Sequence, residues 1–203
     1  AKFLAPVPET MLREMAAAGL ITQEQAGLAA RIPMAQDLTA EADSGGHTDN
    51  RPLVAMFPAM IALRDRLQAR HRFLNPARIG AAGGIATPEA AAAAYMMGAA
   101  YVLTGSVNQA CVESGTSDQV RRMLASAGQA DCIMAPAADM FELGVKVQVL
   151  RRGTMFAQRG AKLYEIWKLY DSIEAIPPLL KAGIERDMFK TNLVAVWAST
   201  REF

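Results

Sequence analysis

Only two of the 203 residues are cysteine, Cys111 and Cys132, and only two are histidine, His47 and His71. So few, so far apart, these residues lack the close spacing of a structural metal site and the density of a disulfide scaffold. The expectation is free thiols in a reducing compartment, by default the cytoplasm. A charge of one sign is missing as well: 21 basic against 20 acidic side chains leave a net charge of +1. No field of that kind draws the chain to nucleic acid. No apolar run reaches the roughly 18 residues a membrane helix needs, and Ala1-Lys2-Phe3-Leu4 lacks the basic-then-apolar order of a secretory signal. Neither membrane nor nucleic acid is therefore an expected partner. An initiating methionine is also absent, and the expectation is that sequence upstream of Ala1 is missing or was removed.

What is present is an ordinary globular composition, 52% hydrophobic and 20% charged, long enough to bury a sizeable core. Met11, Leu12, Met15 and Ala18 predict a helix stopped by Gly19, and Thr22-Gln23-Glu24-Gln25 predicts the capped start of a second. Asp37 to Ala42 reads as a short strand running into a polar, glycine-rich loop from Asp43 to Pro52. Leu53 to Arg70 returns to helical periodicity, and Arg78 to Ala82 reads as a strand of small residues. Thr87-Pro88-Glu89 then opens a helix that Gly98 stops, and Ala100 to Thr104 is the next strand. Strands alternating with long helices predict a parallel sheet, because parallel neighbours need a long crossover. The fold class is α/β. Beyond Gly105 the regularity fades into a helix after Ser117-Asp118, a strand over Val145 to Leu150 and three further helices. The expected division is thus an α/β part over residues 1–110 and a mostly helical part over 111–203.

Three strand ends carry the candidate chemistry. Gly83-Gly84 follows one strand and precedes a helix, where backbone N–H groups and the helix N-terminus suit a phosphate; a plain tight turn is the alternative. One strand–helix unit later, Thr104-Gly105-Ser106 supplies another glycine and two hydroxyls at the corresponding place. Gly45 and Gly46 with His47 end the preceding strand. All three loops are expected on one face. His47 is read equally as a proton donor or acceptor near neutral pH and as a brace tied to Asp43 or Asp49. His71 reads as a helix-end residue, Cys111 as a small packed side chain, and Met134, Met140, Met155 and Phe156 as core. Asp139, Glu142, Lys146, Arg151 and Arg152 are candidates for a carrier-binding face.

The run Glu41-Ala42-Asp43-Ser44-Gly45-Gly46-His47-Thr48, then Ala82-Gly83-Gly84-Ile85, then Thr104-Gly105-Ser106 resembles the FMN-binding loops of the nitronate monooxygenase superfamily. Val107 to Asp118, Ala135 to Phe141 and Val145 to Phe156 look like the trans-acting enoyl reductases of polyketide and polyunsaturated fatty acid synthases. The resemblance implies a TIM-type (β/α)8 barrel, of which this chain is the C-terminal portion followed by a helical appendage, because a closed barrel needs eight units and about 250 residues. It implies FMN held by Gly45, Gly46, Gly83, Gly84, Ile85, Thr104, Gly105 and Ser106, with His47 facing the flavin ring. It further implies NADPH as reductant, and an α,β-unsaturated acyl chain on the phosphopantetheine of an acyl carrier protein as substrate. A missing N-terminal half or a homo-oligomer would cover the open sheet. The alternatives are a nitronate monooxygenase and a non-catalytic docking module.

Overall fold

A computed structural model describes residues 2–44 and 51–202. Gly45, Gly46 and His47 of the predicted site lie outside the described residues. The chain separates into two compact units, Ala1–Ala125 and Ser126–Phe203.

The first unit opens with α1 (Glu9–Ala17) and α2 (Gln23–Ala29). The predicted cap is present: Thr22 Oγ1 accepts from the Gln25 N–H at 3.1 Å, and Gln25 Oε1 accepts from the Thr22 N–H at 2.8 Å, which satisfies two orphan donors of the first turn. The sheet follows as β1 (Asp37–Glu41), β2 (Arg78–Ala82) and β3 (Tyr101–Leu103), in the order β1-β2-β3 with both pairings parallel. Its crossovers are α3 (Leu53–His71) and α4 (Pro88–Met96), as alternation of strand and helix requires. Arg72 ends α3 in the left-handed region at φ 52, and the His71 ring stacks on Phe73 with centroids 5.3 Å apart. Two short helices, α5 (Ser106–Gln109) and α6 (Asp118–Ala125), complete the unit.

Strand alternation sorts the side chains. Leu38, Ala40, Ile79, Ala81 and Val102 join Phe57 of α3 and Ala94 of α4 in one apolar cluster. Phe57 and Ile79 are fully enclosed, each worth roughly 1.5–3 kcal/mol of burial. The opposite face carries polar ties between strands. At its lower end Arg78 grips Asp37 with two bonds, Nε to Oδ1 at 2.6 Å and Nη2 to Oδ2 at 2.7 Å. That hydrogen bonding holds the Asp37 carboxyl below its ordinary range and raises Arg78. One layer up, where Thr39, Gly80 and Tyr101 stand in register, the Tyr101 hydroxyl lies 3.0 Å from Thr39 Oγ1. Its ring crosses the middle strand over Gly80, where any Cβ would collide with it.

The second unit holds a two-stranded antiparallel sheet, β4 (Cys132–Pro136) with β5 (Lys146–Leu150). It continues through α7 (Phe156–Leu169), α8 (Pro178–Ile184) and α9 (Leu193–Arg201). The sequence predicts β5 but not β4, whose apolar run lacks alternation and ends in proline. That proline is tolerated because both strands are edges. Packing of α7 reaches the far end of β4: Ala135 and Pro136 are buried, with Gly160 of α7 against Pro136. The near end stays open. Met134 is therefore 41% exposed, and Met155 and Phe156 are exposed too, contrary to their expected place in the core. Phe141, Tyr164 and Trp167 form an aromatic trio with centroids 5.2 to 5.8 Å apart. Among the described residues no helix is long and apolar enough to cross a membrane.

Candidate functional site

Parallel pairing puts the carboxyl ends of β1, β2 and β3 at one end of the sheet, so the loops after them emerge together. The first begins at Ala42, whose N–H donates to the Ala82 oxygen at 2.8 Å, and its two limbs are joined by the Asp43 N–H donating to the Arg51 oxygen at 2.8 Å. Ser44 Oγ donates to Glu41 Oε1 at 3.1 Å. His47 lies outside the described residues, so its two readings stay as they were.

Gly83 and Gly84 of the second loop both have positive φ, 94 and 69, a conformation that costs other L-residues strain. Their surroundings differ. A Cβ on Gly83 would stand 2.6 Å from the Ala42 oxygen and 2.9 Å from the Asp43 oxygen, whereas one on Gly84 would meet only the Asp43 oxygen, at 3.9 Å. Gly83 thus lets the first loop close over the second, and Gly84 faces open space. The Ile85 side chain belongs to the core, so only its main chain faces the loop.

The end of α4 contributes less than the sequence suggests. Its cap Thr87 already accepts the Ala90 N–H at 3.2 Å, and Pro88 at the first helical position has no N–H to offer. The N–H groups of Gly83, Gly84 and Ile85, which have no backbone acceptor among the described residues, are the donors available there.

In the third loop Thr104, Gly105 and Ser106 are exposed, and a Cβ on Gly105 would touch nothing within 4 Å. Two residues that sequence reasoning passed over shape this end. Asn108 bonds Thr104 twice, for which the only sequence signal is a polar pair at helical spacing. Tyr101 lies over Gly80, with no sequence signal at all. Cys111, expected to be packed, is exposed, and its thiol points to the Val107 oxygen at 3.6 Å. It borders an open depression lined by Asn108, Gln109, Glu113 and Ser114.

No family model matches the chain. Among solved structures, the enoyl reductase domain of MlnA, from the macrolactin biosynthesis cluster of Bacillus amyloliquefaciens, superposes with a TM-score of 0.88 at 42% identity over 98% of this chain. The chain is homologous to that enoyl reductase domain. It spans 45% of the MlnA domain. A polyunsaturated fatty acid synthase polypeptide of Thraustochytrium sp. is 52% identical over 99% of the chain, which spans 14% of that polypeptide. Polyketide biosynthesis protein PksE of Bacillus subtilis is 46% identical over 96% of the chain and is spanned to 25% of its length. The relatives are proteins of polyketide and polyunsaturated fatty acid synthesis, and the structural neighbour is a reductase domain.

Proposed function

We propose that this chain is the phosphate-holding portion of a flavin-dependent enoyl reductase that reduces an α,β-unsaturated acyl thioester on an acyl carrier protein, using NADPH. The observation that carries the reading is the 42% identity to an enoyl reductase domain across nearly the whole chain. In this reading β1, β2 and β3 are strands of the C-terminal portion of a (β/α)8 barrel, and residues 111–203 form its appendage. Additional chain, or a second copy, covers the open sheet.

The residues present fit the phosphate end of FMN. Gly84 and Gly105 leave space that a Cβ would narrow, and the N–H groups of Gly83, Gly84 and Ile85 point to no backbone acceptor among the described residues. In this reading Gly45 and Gly46, which lie outside the described residues, belong to the same grip, as do Thr104 and Ser106 on either side of Gly105. When bound, FMN supplies hydride transfer to the β-carbon of the enoyl group. The loops orient it from its phosphate end, which fixes the reacting groups in one geometry and saves the entropy of aligning them. His47 is the proton donor to the α-carbon in this reading. Free thiols suit a reducing, cytoplasmic setting.

The test uses the intact polypeptide that carries this chain. NADPH oxidation driven by an enoyl thioester on a carrier protein, with none driven by a nitronate and oxygen, supports the reductase. The reverse result assigns a nitronate monooxygenase, and a purified protein with no flavin absorbance and no turnover assigns a docking module.

A further inference from the structure

Asn108 holds Thr104 at two points. Its Nδ2 donates to the Thr104 carbonyl oxygen at 2.9 Å, and its Oδ1 lies 3.1 Å from Thr104 Oγ1. A carbonyl oxygen only accepts, so the amide nitrogen must be the atom that faces it. The amide oxygen is then turned to the Thr104 hydroxyl, and it has no proton to give. The hydroxyl is the donor. In addition, the Asn108 N–H donates to the Gly105 oxygen at 2.9 Å, so one residue ties both Thr104 and Gly105.

We infer that Asn108 is a positioning residue: it clasps Thr104, accepts the hydrogen bond of its hydroxyl, and leaves Ser106 as the hydroxyl of this loop that can donate to a phosphate monoester. The inference rests on reading the loop as a phosphate grip, and it changes which side chain does the gripping. The oxygens of a phosphate dianion only accept. A threonine whose single proton is engaged turns lone pairs toward them, so Thr104 serves the site as framework and not as a ligand.

The experiment is a double-mutant cycle in the intact polypeptide: Thr104→Val, Asn108→Ala and the pair together, with Ser106→Ala alongside. FMN affinity is read by flavin fluorescence. Each clasp variant is expected to weaken FMN about tenfold, ~1.4 kcal/mol. The pair is expected to do no worse than Asn108→Ala alone, because that substitution already removes the hydroxyl bond that Thr104→Val removes, whereas Ser106→Ala multiplies the loss. Losses that multiply between Thr104→Val and Asn108→Ala would overturn the inference by showing that Thr104 touches the phosphate itself. A second readout is independent of flavin: exchange of the Asn108 amide hydrogen in flavin-free protein should quicken in Thr104→Val, and unchanged exchange refutes the clasp. Should Ser106→Ala and Gly84→Ala both leave FMN affinity untouched, the phosphate reading falls, and the exchange result still decides whether the clasp exists.

Discussion

Replacing Gly83 and Gly84 singly by alanine separates two costs that the pair shares only in part. Both glycines sit at positive φ, 94 and 69, and forcing an alanine there costs about 1–2 kcal/mol. For Gly84 that is nearly the whole penalty, since its Cβ would find its nearest neighbour at 3.9 Å. For Gly83 the new carbon would stand 2.6 Å from the Ala42 oxygen, roughly 0.9 Å inside the ~3.5 Å at which such contacts become attractive. The obstructing atoms are backbone, and they are fastened: the Ala42 N–H bonds the Ala82 oxygen and the Asp43 N–H bonds the Arg51 oxygen, both at 2.8 Å. Relief therefore means breaking those bonds or bending the first loop, an overpacking cost of about 1–3 kcal/mol. The sums are ~1–2 kcal/mol for Gly84→Ala and ~2–5 kcal/mol for Gly83→Ala. Equilibrium unfolding in urea measures the difference. A Gly83→Ala variant as stable as Gly84→Ala would refute the claim that the two loops are locked at this contact.

Asp37→Asn breaks the two-point grip of Arg78. Because that grip depresses the Asp37 carboxyl, its stabilisation is fully present above the unfolded-state value and is lost as pH falls through the lower folded value. Thermal melts should show the variant less stable than wild type at pH 7, with the gap closing below about pH 4; a gap that stays constant to pH 2 would contradict this. Tyr101→Phe removes the bond to Thr39 but keeps the ring over Gly80. It should cost no more than about 1 kcal/mol, while Gly80→Ala, which displaces the ring, should cost more in the same denaturation assay. Arg72→Gly relieves a left-handed residue at the end of α3 and should raise the stability by about 0.5–1 kcal/mol; a fall in midpoint would count against a strained cap.

Local punctuation made much of the first unit legible. Thr22 with Gln25, Thr87 with Pro88, and Gly98 announce helix ends through side-chain chemistry that acts within a few residues, and the structure places the helices there. The parallel sheet followed from the lengths of the crossovers, and the common end of the second and third loops followed from the sheet. What the sequence could not show were interactions between residues far apart in the chain. Thr39 and Tyr101 are hydrogen-bonded only because β2 lies between them in register. The different environments of Gly83 and Gly84 depend on how closely Ala42 approaches. Strand β4 was hidden because its apolar run alternates with nothing. Asn108 was missed because a polar residue on an exposed turn looks like any other until its partner is seen.

The ring of Tyr101 lying across Gly80 has a mechanical meaning for the loops above it. It rivets β3 to β1 across the middle strand, adding a side-chain tie to the main-chain ladder, and below it Asp37 and Arg78 do the same for β1 and β2. A slip of either outer strand by one residue would break these rivets before any loop had moved. The spacing of the loop ends is thus gauged from beneath, in layers below the loops themselves. A substitution at Thr39 or Tyr101 can accordingly misalign Gly84 and Gly105 while leaving every atom of both loops unchanged in identity.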